Sequence, residues 1–280
     1  MAEVARAAGL DARVGGVTWE RRPIDPLPGP RRLEEVEDAE PLNDAVALAG
    51  PDTRGPGGFL FAESHMARYL GEPVVLVDPH PGPRALAVAL DDAADRLGCD
   101  CIALVDVGGD VLAHGDEPGL ASPLCDSVLL ATALHAATPT VGALFGPACD
   151  GELTPEEVLE RIAEVAAQDG VLGAHGITRS DLERLEGAVE HVPTEASASA
   201  LRCARGAYGR ASIRDGRRTV PLSPLGALTF FYDPRVAIAT AARLAAAVAG
   251  APGLEDADRI LRDLGVRTEF AYERDAAAAR

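Results

Sequence analysis

The sequence predicts an α/β fold with a mainly parallel sheet and a β-hairpin late in the chain. Between residues 74 and 166, apolar runs of strand length alternate with segments of helical periodicity, which is typical of repeated β-α units. The runs lack polar alternation, as expected for parallel strands that are buried on both faces. Apolar residues make up 47% and charged residues 25% of the chain, which is normal for a globular protein. We predict a single α/β domain over residues 1–280.

The predicted elements follow one another with short connections. The chain opens with a predicted helix over 2–9 and a strand over 12–19, and a proline-dense segment over 23–30 is interpreted as an ordered excursion or a lid. Strands are then predicted at 74–78, 101–106 and 140–145, and helices at 84–97, 123–135 and 154–166. Two of these helices begin with a capping residue and a proline, at Ser122-Pro123 and Thr154-Pro155, which favours a first helical turn at each place.

The second half of the sequence is richer in helix. Helices are predicted over 178–190, 194–205, 235–248 and 254–264. A hairpin is predicted between residues 211 and 222, because Asp215-Gly216 is a favoured two-residue turn. The apolar stretch over 225–232 is a candidate strand, and the alanine-rich tail over 273–280 is predicted to fray.

The composition excludes several classes of protein. All 26 basic residues are arginine, so pyridoxal phosphate chemistry, P-loop nucleotide binding and protein kinase activity are excluded, because each needs a lysine. The formal net charge of −18 opposes binding to nucleic acid or to an anionic membrane. No apolar run reaches the about 18–20 residues of a membrane span, and the five cysteines form no CxxC pair. We therefore expect a cytoplasmic protein with reduced thiols.

Candidate site residues follow the ends of the predicted strands, where open α/β sheets bind ligands. The connection from Asp106 to Ser122 is about 15 residues long, whereas such loops usually have about 2–6. Gly108 and Gly109 allow a close approach of backbone to a ligand, and the helix start at Ser122 offers free amide groups for an anion. The same loop carries four acid-base side chains, Asp110, His114, Asp116 and Glu117. A solvated loop with turn-forming residues is the alternative.

Three further segments contribute candidates, each with a structural alternative. Asp150 and Glu152 follow the third apolar strand as carboxylates, although Glu152 also suits the start of a helix. In the same turn Cys149 is interpreted as a small residue rather than a nucleophile. Thr194 and Glu195 fit a ligand site or a helix cap. The segment Trp19-Glu20-Arg21 either lines a pocket or belongs to the core.

The sequence does not fix a cofactor. Asp78, Asp106, Asp110 and Asp150 carry the hard oxygen ligands that Mg²⁺ and Mn²⁺ prefer, so a divalent ion stays open. However, no HExxH or other metal-specific spacing is present, and we predict no particular metal ligand. The sequence also lacks GxSxG and GxGxxG, so neither a serine nucleophile nor a dinucleotide fingerprint is present.

Four motifs resemble one family. They are Gly15-Gly16-Val-Thr-Trp19-Glu20-Arg21 with Asp25-Pro-Leu-Pro-Gly-Pro30, the stretch from Val105 to Glu117, Cys149-Asp150-Gly-Glu152-Leu-Thr-Pro, and Pro193-Thr194-Glu195-Ala-Ser197. This set is similar to the proteins grouped as domain of unknown function 1152. The resemblance implies a Rossmann-like three-layer sandwich and supplies no activity. It also implies a strand and a glycine-rich turn ahead of the first helix. We therefore expect either that the start codon of this sequence is assigned too late or that this copy of the protein is shortened.

Three hypotheses of function remain. The first is an enzyme of hydrolase or lyase type that acts on a small anionic metabolite, with Asp106, Asp110, Asp116, Glu117 and Asp150 as catalytic carboxylates. The expected ligand-binding residues are Gly108, Gly109, Trp19, Glu20, Arg21, His114, Ser122, Glu152, Thr194 and Glu195. The second is a non-catalytic regulatory protein that binds a metabolite or nucleotide. The third is a structural subunit of a hetero-complex, and a homo-oligomer also stays open.

Overall fold

The structure is a computed structural model that describes residues 2–22, 24–214 and 216–278. Pro23 and Asp215, which belong to the predicted proline-dense segment and hairpin turn, lie outside the described residues, as do Met1, Ala279 and Arg280. The fold is mixed α/β, as predicted. The strands are β1 Gly15–Val17, β2 Glu37–Pro41, β3 Val46–Arg54, β4 Val74–Val77, β5 Ile102–Val107, β6 Thr140–Phe145, β7 Val171–Gly176, β8 Gly209–Ile213, β9 Arg218–Leu222 and β10 Leu228–Tyr232.

The helices fill the connections between these strands. They are α1 Ala2–Ala7, α2 Ala62–Leu70, α3 Gly82–Leu97, α4 Leu124–Ala131, α5 Pro155–Ala166, α6 Arg179–His191, α7 Glu195–Ala204, α8 Pro234–Ala239, α9 Arg243–Val248, α10 Leu254–Asp263 and α11 Glu269–Ala278. No helix in the described part of the chain combines the length and the apolarity needed to cross a bilayer.

The strands form two four-stranded sheets and one hairpin in the described chain. The first sheet has the order β1-β4-β3-β2, with β1 and β4 parallel and the other pairs antiparallel. The second sheet has the order β5-β6-β10-β7, with β5 and β6 parallel and β10 antiparallel to both neighbours. β8 and β9 pair as the predicted late hairpin.

The expectation of a mainly parallel sheet is wrong for the described strands. Only β1 with β4 and β5 with β6 run parallel. A tight turn between β2 and β3 makes that pair antiparallel, and β10 enters between β6 and β7 only after a long excursion of the chain. The alternation of strand and helix along the sequence predicts the order of the elements in the chain. It does not predict where a late strand such as β10 is placed within a sheet.

Burial also differs from the expectation for β5. Its position at the edge of the second sheet leaves alternate residues exposed, and Val105 has 43% of its surface exposed. β6, one strand further in, is buried at Gly142, Ala143 and Leu144. An apolar run therefore marks a strand, but it does not distinguish a central strand from an edge strand.

The main core lies between the second sheet and the helices that cover it. Its fully buried members include Leu124 of α4, Leu144 of β6, Val158 of α5, Leu244 of α9 and Leu254 of α10. α5 begins with the predicted cap, since Thr154 and Glu157 form a reciprocal capping box. A smaller apolar cluster joins the hairpin to α7 and to the loop after β6. This cluster fixes the hairpin above the end of β6.

Two predicted helical regions differ in detail. The helix predicted over 235–248 is interrupted between α8 and α9, where Thr240 leaves helical geometry and its hydroxyl donates to the carbonyl of Val236 at 2.8 Å. The tail predicted to fray from residue 273 is helical through Ala278. Glu273 is buried and accepts hydrogen bonds from the Trp19 indole and the Gly29 amide, so tertiary contacts order this segment.

Candidate active site

The strongest concentration of charged side chains lies at the carboxyl ends of β5 and β6. Asp106 is the penultimate residue of β5, and Asp110 follows in a short 3-10 turn. Asp150 and Glu152 lie in the loop after β6. Asp126 reaches the same place from the first turn of α4. The fold thus brings Asp110 close to Asp106 and Asp126 on one side and to Asp150 and Glu152 on the other.

Two overlapping sets of carboxylates share Asp110. One set is Asp106, Asp110 and Asp126, and the other is Asp110, Asp150 and Glu152. Within each set, one oxygen of every carboxylate lies within 4.8 Å of one oxygen of the others. Four of these five residues are buried, with Asp126 half-buried. Like charges at this spacing do not ionise together without compensation.

Burial and mutual repulsion raise the pKa of most of these carboxyl groups. Burial, followed by the charges of Asp126 and Asp150, raises the pKa of Asp106 well above its usual value. Burial and Glu152 raise the pKa of Asp110 in the same way. Burial also raises the pKa of Asp126 to about 6 and that of Asp150 to about 7. Asp126 and Asp150 therefore titrate close to neutral pH.

The pKa of Glu152 shifts in the opposite direction, because other groups of the chain hydrogen-bond and pair with its carboxylate. Burial raises its pKa, but Arg218 and the hydrogen bonds of Ser122 and Ala121 outweigh burial, so that its pKa is lowered. The amides of Ala121 and Ser122 donate to Oε2 at 2.8 and 2.9 Å, the Ser122 hydroxyl donates to Oε1, and Nη1 of Arg218 lies 3.1 Å from Oε1. Asp150 and Glu152 are therefore neighbouring carboxyl groups whose pKa values are shifted in opposite directions.

The free amides expected at the start of α4 are occupied by the chain's own carboxylates. Glu152 takes those of Ala121 and Ser122, and Glu269 accepts from the amides of Leu124 and Cys125, both at 2.9 Å. Glu269 comes from α11, and burial raises its pKa to about 8 against the opposing effect of Arg21. The anion predicted to sit at this helix start is thus a protein side chain.

Three arginines from distant parts of the chain face the acidic cluster. Arg21 follows β1, Arg214 lies in the hairpin turn and Arg218 begins β9. Glu269, Glu152 and Asp110 outweigh the burial of Arg21 and raise its pKa, whereas burial, Arg21 and Arg218 lower the pKa of Arg214. Within the described chain, neither Arg21 nor Arg214 makes a side-chain hydrogen bond or an ion pair within 4 Å.

The glycine pair after β5 makes room for protein side chains. Gly108 and Gly109 have φ values of 126° and 129°, which favour glycine. A Cβ on Gly108 would collide with the carboxyl group of Asp150, and one on Gly109 would lie 2.9 Å from Cγ2 of Val158. The space that was predicted to admit a ligand is therefore filled here by Asp150 and Val158.

Three predicted residues of the long loop form a separate group. Asp116 is exposed, while Glu117 is buried and accepts from the amides of His114 and Gly115, both at 2.8 Å. Arg161 lies 3.5 Å from Glu117, and Nε2 of His114 lies 3.1 Å from Glu164. These contacts hold the loop against α5, and none of them joins the main cluster.

The other predicted residues support the site from outside. The Trp19 indole packs on Phe270 with ring centroids 5.3 Å apart and donates to Glu273 at 3.0 Å. Glu20 is buried and accepts from the amide of Ala62, the first residue of α2, at 2.5 Å. Thr194 makes no side-chain cap hydrogen bond.

Glu195 contacts the backbone of Arg214, one of the arginines that face the acidic cluster. Both of its carboxylate oxygens accept from the Arg214 amide at 3.0 Å, and Arg214 has a positive φ of 53°. Such a backbone conformation is unfavourable for a side chain larger than glycine. Glu195 therefore fixes the turn that directs Arg214 toward Asp150 and Glu152.

The loop after β6 carries a second pair of interacting groups. Cys149 and Cys203 are both buried free thiols that hydrogen-bond each other. The hydrogen bond and burial raise the pKa of Cys149, whereas the same hydrogen bond lowers that of Cys203 to about 6. The raised pKa and complete burial of Cys149 agree with its interpretation as a packing residue.

Comparison with known protein families identifies the family of this chain. A family model described as Protein of unknown function (DUF1152) matches residues 1–277. The chain belongs to the DUF1152 family. The resemblance inferred from the sequence motifs is therefore confirmed over nearly the whole chain. No curated protein and no solved structure matches it significantly.

Several residues of this DUF1152 site were not predicted from the sequence. They are Asp126, Arg214, Arg218, Tyr232 and Glu269. Asp126 has the ordinary place of an acid in a first helical turn, and the two arginines flank a turn where exposed charge is common. Glu269 lies 143 residues after Asp126 in the sequence, and the two side chains come close together only in the folded chain. Of these residues, the sequence pointed only to Arg214 and Arg218, because two arginines beside a predicted turn can form an anion-binding site.

Two surface depressions of this DUF1152 chain lie away from the acidic cluster. One of about 370 Å³ is lined by residues that include Glu186, Arg202 and Arg205, and another of about 390 Å³ by residues that include Asp52 and Arg68. Neither contains a residue of the acidic cluster.

Proposed function

We propose that this chain is an enzyme of hydrolase or lyase type that acts on a small anionic metabolite by carboxylate acid-base chemistry. The observation that carries the proposal is the meeting of buried carboxyl groups with unpaired arginines at the carboxyl ends of parallel strands. Asp106, Asp110 and Asp150 form the acidic wall, while Arg21 and Arg214 face it. Ligands of open α/β sheets bind at this edge.

The roles follow from the chemistry of each group. Arg21 and Arg214 bind the anionic group of the substrate, because a guanidinium forms paired hydrogen bonds to carboxylate or phosphate oxygens. Asp150 donates or accepts a proton, since it lies beside Gly108 in a buried position with one carboxylate oxygen unpartnered. Glu152 is held by Ser122 and Arg218 and maintains the loop that carries Asp150.

We also propose a Rossmann-like layered frame for this site and a small molecule as the partner. The two parallel pairs, whose carboxyl ends lie near Arg21 and Asp106, support the frame. The net charge of −18 supports a small-molecule partner over nucleic acid or an anionic membrane. The positive charges of Arg21, Arg214 and Arg218 provide a local site where a protein of negative net charge binds an anion.

A metabolite screen tests the function. The full chain is screened by thermal shift against phosphorylated and carboxylated metabolites, and each compound that stabilises it is followed by NMR for conversion. We expect Arg214→Gln to weaken binding by about tenfold or more, because one charge-assisted contact contributes about 1.5–3 kcal/mol. Asp150→Asn is expected to retain binding and to lose turnover.

The matched control is Arg210→Gln, which removes an exposed arginine from β8 of the same hairpin. It should leave binding unchanged. Binding that persists in Arg214→Gln would place the ligand elsewhere and contradict the proposal. Tight binding without conversion of any compound would identify the chain as a non-catalytic binding protein instead.

A further inference from the structure

We propose that the carboxylates of Asp106, Asp110 and Asp126 bind one divalent metal cation of the Mg²⁺ or Mn²⁺ type. The inference rests on the proposed function in one respect, since the ion serves the same site. Its binding, however, depends only on residues of this chain. One oxygen from each of the three side chains lies within 4.8 Å of the others. With ligands at about 2.1 Å in an octahedral site, neighbouring ligand oxygens are about 3.0 Å apart and opposite ones about 4.2 Å apart, so the three oxygens move inward when they take three positions of the coordination sphere.

A fully buried tyrosine provides independent evidence for a bound species. Tyr232 has no exposed surface, and its hydroxyl has no hydrogen-bond partner among the residues that the structure describes. The charges that act on this hydroxyl are Asp106 and Asp126, so it lies beside the proposed ion site. Buried hydroxyl groups are almost always hydrogen-bonded. A water molecule bound to the cation would donate to the Tyr232 oxygen and satisfy it.

Two carboxylate oxygens lack partners in the same way. Oδ2 of Asp106 and Oδ1 of Asp150 are buried and accept no hydrogen bond in the described chain. No described basic side chain forms an ion pair within 4 Å of Asp106, Asp110 or Asp126; the ion pair of the cluster joins Arg218 to Glu152. A buried carboxylate needs a positive charge or hydrogen-bond donors. A cation bound by Asp106, Asp110 and Asp126 supplies the missing charge at Oδ2 of Asp106, the one of these two oxygens that belongs to the proposed ligand set.

The other two groups of potential ligands are less suitable. In the set that contains Asp150, Glu152 already accepts from two amides, one hydroxyl and Arg218. In the loop group, Glu117 accepts from two amides and lies 3.5 Å from Arg161, while His114 contacts Glu164. A metal ion would have to break these contacts. In the first set, Oδ2 of Asp106 has no hydrogen-bond partner among the described residues.

Titration with Mn²⁺ tests the site on the full chain without substrate. After removal of metals by a chelator, free Mn²⁺ is followed by its EPR signal. We expect one tight Mn²⁺ per chain, and an affinity lowered by about tenfold or more in Asp106→Asn and in Asp126→Asn. Both substitutions preserve the size of the side chain, and circular dichroism of the metal-free proteins verifies that they fold.

Asp116→Asn is the matched control, because Asp116 is an exposed member of the alternative loop group. It should bind Mn²⁺ as the unmodified chain does. The proposal is wrong if no tight Mn²⁺ is found, if both cluster variants bind it unchanged, or if Asp116→Asn abolishes binding. Tight Mn²⁺ binding without metabolite conversion would reject the proposed function alone, while conversion by the metal-free chain without Mn²⁺ binding would reject the metal site alone.

Discussion

At the scale of single residues, Glu63 is a buried carboxyl group that lies outside the acidic cluster. It belongs to the first turn of α2 and packs over Gly16 of β1, where a Cβ would collide with its carboxyl group. Its Oε2 atom has no hydrogen-bond partner in the described part of the chain, and burial together with the nearby Glu20 raises the pKa of Glu63 to about 8. Glu63 is therefore protonated in the folded protein at neutral pH.

This titration predicts how the stability of the protein changes with pH. The folded chain keeps a proton on Glu63 up to about pH 8, whereas the ordinary pKa is 4.5, so the unfolded chain releases that proton earlier. The stabilising contribution is complete below the ordinary pKa and is lost as the pH rises toward about 8. We expect Glu63→Gln to reduce the loss of unfolding free energy between about pH 5 and about pH 9.

Urea unfolding of both proteins at several pH values measures the effect. The control is Glu40→Gln, which removes an exposed carboxylate from β2. It should leave the pH dependence of stability unchanged. Parallel pH profiles for Glu63→Gln and the unmodified chain would contradict the assignment of a raised pKa to Glu63.

At the scale of elements, the start of α4 depends on carboxylates from distant segments. An isolated helix leaves its first amides without acceptors. Here Glu152, from the loop after β6, takes the amides of Ala121 and Ser122, and Glu269 of α11 takes those of Leu124 and Cys125. The helix that positions Asp126 is therefore fixed at its first turn by two other parts of the fold.

Removal of one of these carboxylates should destabilise the protein. We expect Glu269→Ala to lower the unfolding free energy by at least about 1 kcal/mol, because a buried amide left without an acceptor costs about 1–3 kcal/mol. The control is Glu255→Ala on α10, whose side chain is 64% exposed and pairs only with a half-exposed Arg32. That pair contributes about 0–1 kcal/mol. Equal stability of the two variants in denaturant unfolding would contradict the capping role of Glu269.

At the scale of the whole molecule, the net charge of −18 acts on stability through repulsion among surface acids. Salt screens charges over about 10 Å at 0.1 M, and a high net charge disfavours the compact state. We therefore expect the melting temperature to rise when NaCl increases from about 10 mM to about 200 mM. Differential scanning calorimetry at constant pH measures it. A melting temperature that falls with salt would mean that attractive ion pairs outweigh the repulsion.

The same scale explains which parts of the fold were predictable. The strand at 140–145 and the helix that starts after Thr154 were predicted correctly, because a hydrophobic pattern and a local cap determine them. β2, β3, α2 and β7 were not predicted. β3 contains a glycine and a proline, and the segment of β7 is rich in glycine, so neither has the apolar pattern of a typical strand.

The candidate site was predictable only in part. Asp106, Asp110, Asp150 and Glu152 were found because they follow strands whose ends meet at one edge of a sheet. Asp116 was included for its chemistry alone, and the structure leaves it exposed in another group. Its environment depends on the direction in which a loop turns, which residue type and spacing do not encode.

Composition and patterns within a few residues of each other were enough to predict the class of the fold, the order of most elements, the family and the exclusion of lysine-dependent chemistry. The two mixed sheets, the position of β10 between β6 and β7, and the meeting of Arg21, Asp126, Arg214 and Glu269 became visible only in the folded chain. The ionisation of a buried group depends on charges within a few ångströms in space. Residues far apart in the chain supply those charges, and only the packed core brings them to that distance.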